Sequence, residues 1–143
     1  MMMTRGLAAA AMLCGLAAGT ASSALADPPT MNGHYIYSST LNGQTATKDF
    51  YFTPCGDGCA AAANTPGGPA TQARLVNGQW TLDTAKSAAV CADGSQVPDA
   101  LSNHLTWDPN TLAGTSQATI NVPACGQPVG YTQTSNLQFR QAP

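Results

Sequence analysis

Residues 33–53 read GHYIYSSTLNGQTATKDFYFT, and their pattern decides the fold class. Large apolar residues alternate with other types at Tyr35 and Tyr37 and again at Phe50 and Phe52, the period of two that puts successive strand side chains on opposite faces. Between the two runs stands Asn42-Gly43, a pair that tolerates the positive φ angles of a type I′ turn. The stretch therefore predicts a hairpin with strands at 33–41 and 44–53. A second hairpin repeats the device, with Asn77-Gly78 between strands at 72–76 and 79–83. Further strands are predicted at 88–92, 102–107, 114–122 and 135–141.

Between the hairpins, residues 60–69 are predicted to be a loop. Thr65-Pro66-Gly67-Gly68-Pro69 is incompatible with a regular ladder, and the alanines at 60–63 supply at most one helical turn. The alternation also selects a core face, on which Tyr35 and Tyr37, Phe50 and Phe52, Trp80 and Leu82, Leu105 and Trp107, Ile120 and Val122, and Leu137 and Phe139 project together. Six strands each offering one apolar pair imply an all-β chain: an antiparallel β-sandwich or a small β-barrel of about seven or eight strands.

The N-terminus has the layout of an export signal. Arg5 is followed by an apolar run over 7–18, and Ala24-Leu25-Ala26 before Asp27 fits a small-residue cleavage site. The expected organisation is a signal peptide at 1–26 and one secreted β-domain at 27–143. A membrane-spanning helix needs about 20 apolar residues, and Gly15, Gly19, Thr20, Ser22 and Ser23 dilute this stretch. Cys14 invites a lipoprotein reading, but such a cysteine normally follows a small residue and here follows Leu13.

The 143-residue sequence carries 5 Lys and Arg against 7 Asp and Glu, a net charge of −2. All seven acidic residues are aspartates, and loss of Arg5 would make the mature chain one unit more negative. No basic field exists to neutralise a phosphate backbone, so nucleic acid is not an expected partner.

Beyond Cys14 the chain holds Cys55, Cys59, Cys91 and Cys125. An even number of cysteines in a short exported chain argues for disulfides. Of the three possible pairings, Cys55 with Cys59 and Cys91 with Cys125 is preferred, because Gly56 and Gly58 let the backbone turn tightly enough to join near neighbours. With so few large apolar side chains to order the domain, both bridges are expected to matter for stability.

Several motifs, in order, resemble small secreted proteins of mycobacteria and related actinobacteria. They are Gly33-x-Tyr35, Phe52-Thr53-Pro54-Cys55-Gly56-Asp57-Gly58-Cys59, Asn77-Gly78-Gln79-Trp80, Cys91-Ala92-Asp93-Gly94, the run from Trp107-Asp108-Pro109 to Ala113-Gly114, and Cys125-Gly126-Gln127-Pro128. Similar modules look like parts of the exported segments of membrane-anchored kinases of that group. The resemblance spans almost all of the expected mature chain. It implies an exported β-domain in the envelope or outside the cell, and brings no catalytic residue with it.

Reactive readings of the same residues are weaker. The Cys55–Cys59 motif has three intervening residues where a thioredoxin-like site has two at a helix N-terminus, and no basic side chain near it in sequence would hold a thiolate. Zinc could draw on the cysteines with His34 and His104, but only one local ligand pair exists. Asp57 and Asp93 sit in glycine-containing loops that suit calcium in composition, yet lack alternating carboxylates and read as turns. Asp93-Gly94-Ser95-Gln96, with His104 and Asp99 or Asp108, does not form a nucleophile-elbow motif. Two carboxyl groups for glycosidase chemistry would both have to come from aspartates in turns.

The expectation is accordingly a non-catalytic interaction or structural module without cofactor or metal, secreted or in the cell envelope, acting on an envelope or extracellular partner. The alternative is a small barrel carrying an apolar ligand against Tyr35, Tyr37, Phe50, Trp80 and Trp107.

Overall fold

A computed structural model describes residues 27–143; the expected signal peptide and Cys14 lie outside the described residues. Nine strands follow one another: β1 (Gly33–Leu41), β2 (Gln44–Pro54), β3 (Cys59–Ala63), β4 (Ala70–Val76), β5 (Gln79–Asp83), β6 (Ser87–Val90), β7 (Gln96–Trp107), β8 (Ala113–Ile120) and β9 (Thr132–Gln141). All pairings are antiparallel, in the order β5-β4-β3-β2-β1-β9-β8-β7-β6, with β5 also paired to β7. That last pairing joins Trp80 to Trp107 and Asp83 to His104 and closes eight strands into a barrel. Strand β6 is additional, lying along the first half of β7. Of the two architectures the sequence allowed, the chain adopts the closed barrel. Among the described residues no helix is long and apolar enough to cross a membrane.

Both Asn-Gly hairpins form as read. Asn42 and Gly43 have φ of 50° and 77°, Asn77 and Gly78 of 50° and 78°, the paired positive values of type I′ turns. A third turn of this kind, at Cys125-Gly126, links Ala124 to Gln127 through reciprocal backbone hydrogen bonds.

The barrel interior is filled by side chains. Tyr35, Tyr37, Phe50, Phe52, Trp80, Leu82, Leu105, Trp107, Leu137 and Phe139 form one buried cluster with Met31, Ala60, Ala62 and Ala73. Phe139 lies among five aromatic rings, 4.8 Å from Trp107 and 5.5 Å from both Tyr37 and Phe50, centroid to centroid. The indoles of Trp80 and Trp107 are nearly parallel, 6.3 Å apart. Their Nε1 atoms are buried without a hydrogen-bond partner, an unusual cost for buried donors.

Several boundaries differ from those read in the sequence. Residues 60–63, expected to belong to a loop, form strand β3 together with Cys59, paired on both edges. Its alanines are small enough to lie opposite the bulky indoles and phenyl rings, the large-against-small filling that a narrow barrel requires. Strand β4 begins at Ala70 and β9 at Thr132, both earlier than expected, whereas β6 ends at Val90 and leaves Cys91 outside.

Strand β7 begins at Gln96, six residues early, and absorbs Pro98 and Asp99 where its register with β6 shifts. Asp99 has φ of 55° there, the left-handed conformation typical of a bulge. Strand β8 stops at Ile120, and Val122 is 42 % exposed rather than in the core. Ile120 still bonds Tyr131 and Gly130 on the β9 side, and the chain leaves the sheet beyond it, where Pro123 has no N–H to continue a ladder.

Both preferred disulfides are present. Cys55–Cys59 closes the β2–β3 turn, with Cα atoms 5.0 Å apart. Cys91–Cys125 ties the β6–β7 turn to the β8–β9 connection, with Cα atoms 5.2 Å apart. The second bridge covers a satellite cluster of Ala89, Ala100, Ile120 and Ala124 outside the barrel.

Candidate functional site

Following each inward-facing row along the barrel leads to one polar end. On β2 the row runs Phe52, Phe50, Lys48; on β5 it runs Trp80, Leu82 and then Thr84; on β7 it runs Trp107, Leu105, Asn103. On β3 it runs Ala60, Ala62 and then Asn64, and on β4 Ala73 is followed by Thr71. Each row changes from buried apolar to polar at about the same level, so the filled core ends in a polar mouth. Lys48 stands opposite the inward-facing Tyr37 in the β1–β2 register, which places it on the interior row and not on the outer wall.

The mouth is also where the barrel wall is incomplete. Strand β5 pairs with β4 only over Arg74–Val76, and with β7 only over Leu105's neighbourhood, Trp107 to His104. Farther along, β7 is paired with β6 instead, and no pairing joins β6 to the start of β4. A cleft of about 450 Å³ opens there, its floor made by Phe50, Ala62 and Leu82 and its rim by Lys48, Asn64, Thr71, Thr84, Lys86 and Asn103.

The rim is partly fixed by hydrogen bonds. The Asn64 side-chain amide donates to the Asp49 carbonyl oxygen at 3.0 Å. The backbone N–H of Asn103 donates to Thr84 Oγ1 at 3.0 Å, while the Thr84 N–H donates to the Asn103 carbonyl oxygen at 2.9 Å. Thr84 thus keeps its own hydroxyl hydrogen available to a ligand. Two cations and no carboxylate line the cleft, although the whole chain is acidic. The close contacts of a basic side chain with a carboxylate among the described residues are His34–Asp49 and His104–Asp83, and neither involves Lys48 or Lys86.

A second, shallower trough of about 940 Å³ follows the Cys91–Cys125 bridge outside the barrel, between Ala92–Ser95 on one side and Pro123–Val129 on the other. It is larger but open, and its one charged lining residue is Asp93. The Asp93 carboxylate accepts the backbone N–H of Ser95 at 2.9 Å and its hydroxyl at 2.5 Å, which holds its pKa below the ordinary aspartate value. Asp93 is therefore engaged in an Asx turn.

The structure separates most of the reactive combinations that the sequence allowed. His104 Nδ1 lies 2.6 Å from Asp83 Oδ1 on the outer wall, so its carboxylate partner is neither Asp99 nor Asp108. Asp108 accepts the backbone N–H groups of Asn110 and Thr111 at 2.7 and 2.9 Å, and these bonds draw its pKa down. His34 stacks on Tyr51, centroids 4.5 Å apart, and meets Asp49 at 2.8 Å on the outer face of the first hairpin. All four cysteines among the described residues are consumed in bridges. Asp57 is exposed at the tip of the small ring. Among the described residues no three His, Cys, Asp or Glu side chains gather as a metal site.

The mouth itself was not singled out from the sequence. The available signal was Lys48, two residues before Phe50 on a strand already read as alternating. Comparison with known proteins adds no further constraint, since no family model, curated protein or solved structure matches this chain.

Proposed function

We propose that this chain is an exported, non-catalytic recognition or structural module of the cell envelope or extracellular space, of the kind its motifs resemble. The observation that carries this reading is where its sulfur and its aromatic residues are committed. The cysteines are joined in two intramolecular bridges, which suits an oxidising compartment. The rings offered as walls for an apolar cargo pack against one another instead. What is left for function is surface: loops, the outer wall and the polar mouth, all held by a rigid scaffold.

The test uses protein recovered from its native host. An exported module is expected in the medium or envelope fraction, starting at Asp27, with no thiol alkylated before reduction. Its native mass should equal its denatured mass. Alkylation of Cys55, Cys59, Cys91 and Cys125 without prior reduction would overturn the reading, as would an apolar cargo held inside the barrel and released only on denaturation.

A further inference from the structure

We propose that the barrel mouth binds a small amphiphilic monoanion, a carboxylate carried on a short apolar or aromatic body. The inference rests on the reading of the chain as a recognition module and names what one of its surfaces takes.

Three features of the mouth converge on that chemistry. Its volume, about 450 Å³, falls in the range of small-molecule sites. Its floor of Phe50, Ala62 and Leu82 offers apolar contact, while Lys48 and Lys86 offer ammonium groups on the same concave surface. Neither lysine is in an ion pair among the described residues. Two ammonium groups beside an apolar floor favour an anion there even on a molecule of opposite net charge.

The arrangement also restricts the anion. Only two cations line the mouth and the rest of the chain carries a net negative charge, which disfavours a polyanion that extends beyond the mouth. A single carboxylate can be held by the two ammonium groups and the free hydroxyl hydrogen of Thr84. The break in the wall between the start of β4 and β6 leaves the cleft open on one side, which gives the apolar body a way in without opening the filled core.

The probes are 4-phenylbutyrate, its neutral amide 4-phenylbutyramide, and inorganic phosphate, titrated into the oxidised exported chain and followed by backbone amide NMR. Phenylbutyrate is expected to give saturable shifts confined to Lys48, Thr71, Thr84, Lys86, Asn103 and their neighbours. The amide and phosphate should each bind at least about tenfold more weakly, since each lacks one half of the recognition. The Lys48→Gln/Lys86→Gln double variant should lose a similar factor for phenylbutyrate while keeping a native spectrum, because both side chains are exposed.

Absence of saturable shifts, equal affinity for the amide or for phosphate, or unchanged affinity in the double variant would each overturn the proposal. Such a result on protein with a dispersed spectrum and intact bridges leaves the exported-module reading standing. That reading is tested separately by thiol state and retained mass.

Discussion

Trp107 and Gly114 stand opposite each other across the β7–β8 ladder, and a methyl group added to Gly114 would come within 1.8 Å of the Thr106 carbonyl oxygen. The glycine is required by close approach of two backbones, not by its φ angle. The Gly114→Ala variant is expected to lose about 1–3 kcal/mol, because the strands must move apart beneath a fully packed indole. Urea unfolding should show a lower midpoint with an unchanged slope. A midpoint equal to that of the parent would mean that β8 can back away without disturbing the core.

Phe139 is the centre of the aromatic cluster, touching Tyr35, Tyr37, Phe50, Phe52 and Trp107. Truncation to alanine removes partners from five rings at once and should cost about 3–5 kcal/mol. Phe139→Leu keeps more of the volume and should cost less. Tryptophan fluorescence would report both changes through Trp107, and equal losses for the two variants would contradict the packing account.

The two bridges differ in what they restrain. In the chain-entropy model the Cys91–Cys125 bridge, spanning 34 residues, contributes about 4 kcal/mol. The Cys55–Cys59 bridge, spanning 4 residues, contributes about 2 kcal/mol. Replacing Cys91 and Cys125 by serine should thus lower stability more than replacing Cys55 and Cys59. Hydrogen exchange should quicken first at Ala124 and Gln127, whose turn and satellite cluster sit outside the barrel, and later at core amides such as that of Phe139. Simultaneous loss of protection in both regions would show that the satellite does not open on its own.

Where local chemistry contained the information, the sequence was readable. Asn42-Gly43 and Asn77-Gly78 specify their hairpins because positive φ is needed at consecutive positions, and Tyr35, Tyr37, Phe50 and Phe52 select the inner face by alternation alone. Strand β3 was hidden for the opposite reason: Ala60, Ala61, Ala62 and Ala63 show no contrast between faces, so period two has nothing to act on. The start of β7 was masked by Pro98 and by the bulge at Asp99.

Barrel closure itself depends on Trp80 meeting Trp107 at a distance in sequence, and no local pattern encodes that encounter. The mouth follows from it. Lys86 and Thr71 become neighbours of Lys48 only once the wall has closed in one half and parted in the other.

The acid limb of stability should carry the signature of Asp108. Its carboxylate holds the β7–β8 turn by accepting the N–H groups of Asn110 and Thr111, and these bonds place its folded pKa below the ordinary value of 3.8. A group whose pKa is lowered by folding stabilises the fold above its unfolded pKa. That contribution is lost as the pH falls through the folded value, because protonation then costs more in the native state than in the unfolded one. Asp93, bonded to Ser95, acts in the same direction. Asp108→Ala should therefore melt below the parent at pH 6, with the gap narrowing as the pH drops below about 4. Asp108→Asn retains a neutral acceptor and should show a smaller gap at pH 6. Thermal midpoints of the three proteins between pH 2 and 6 make the check: a gap that stays constant over that range would mean that the carboxylate charge has no stabilising role in the turn.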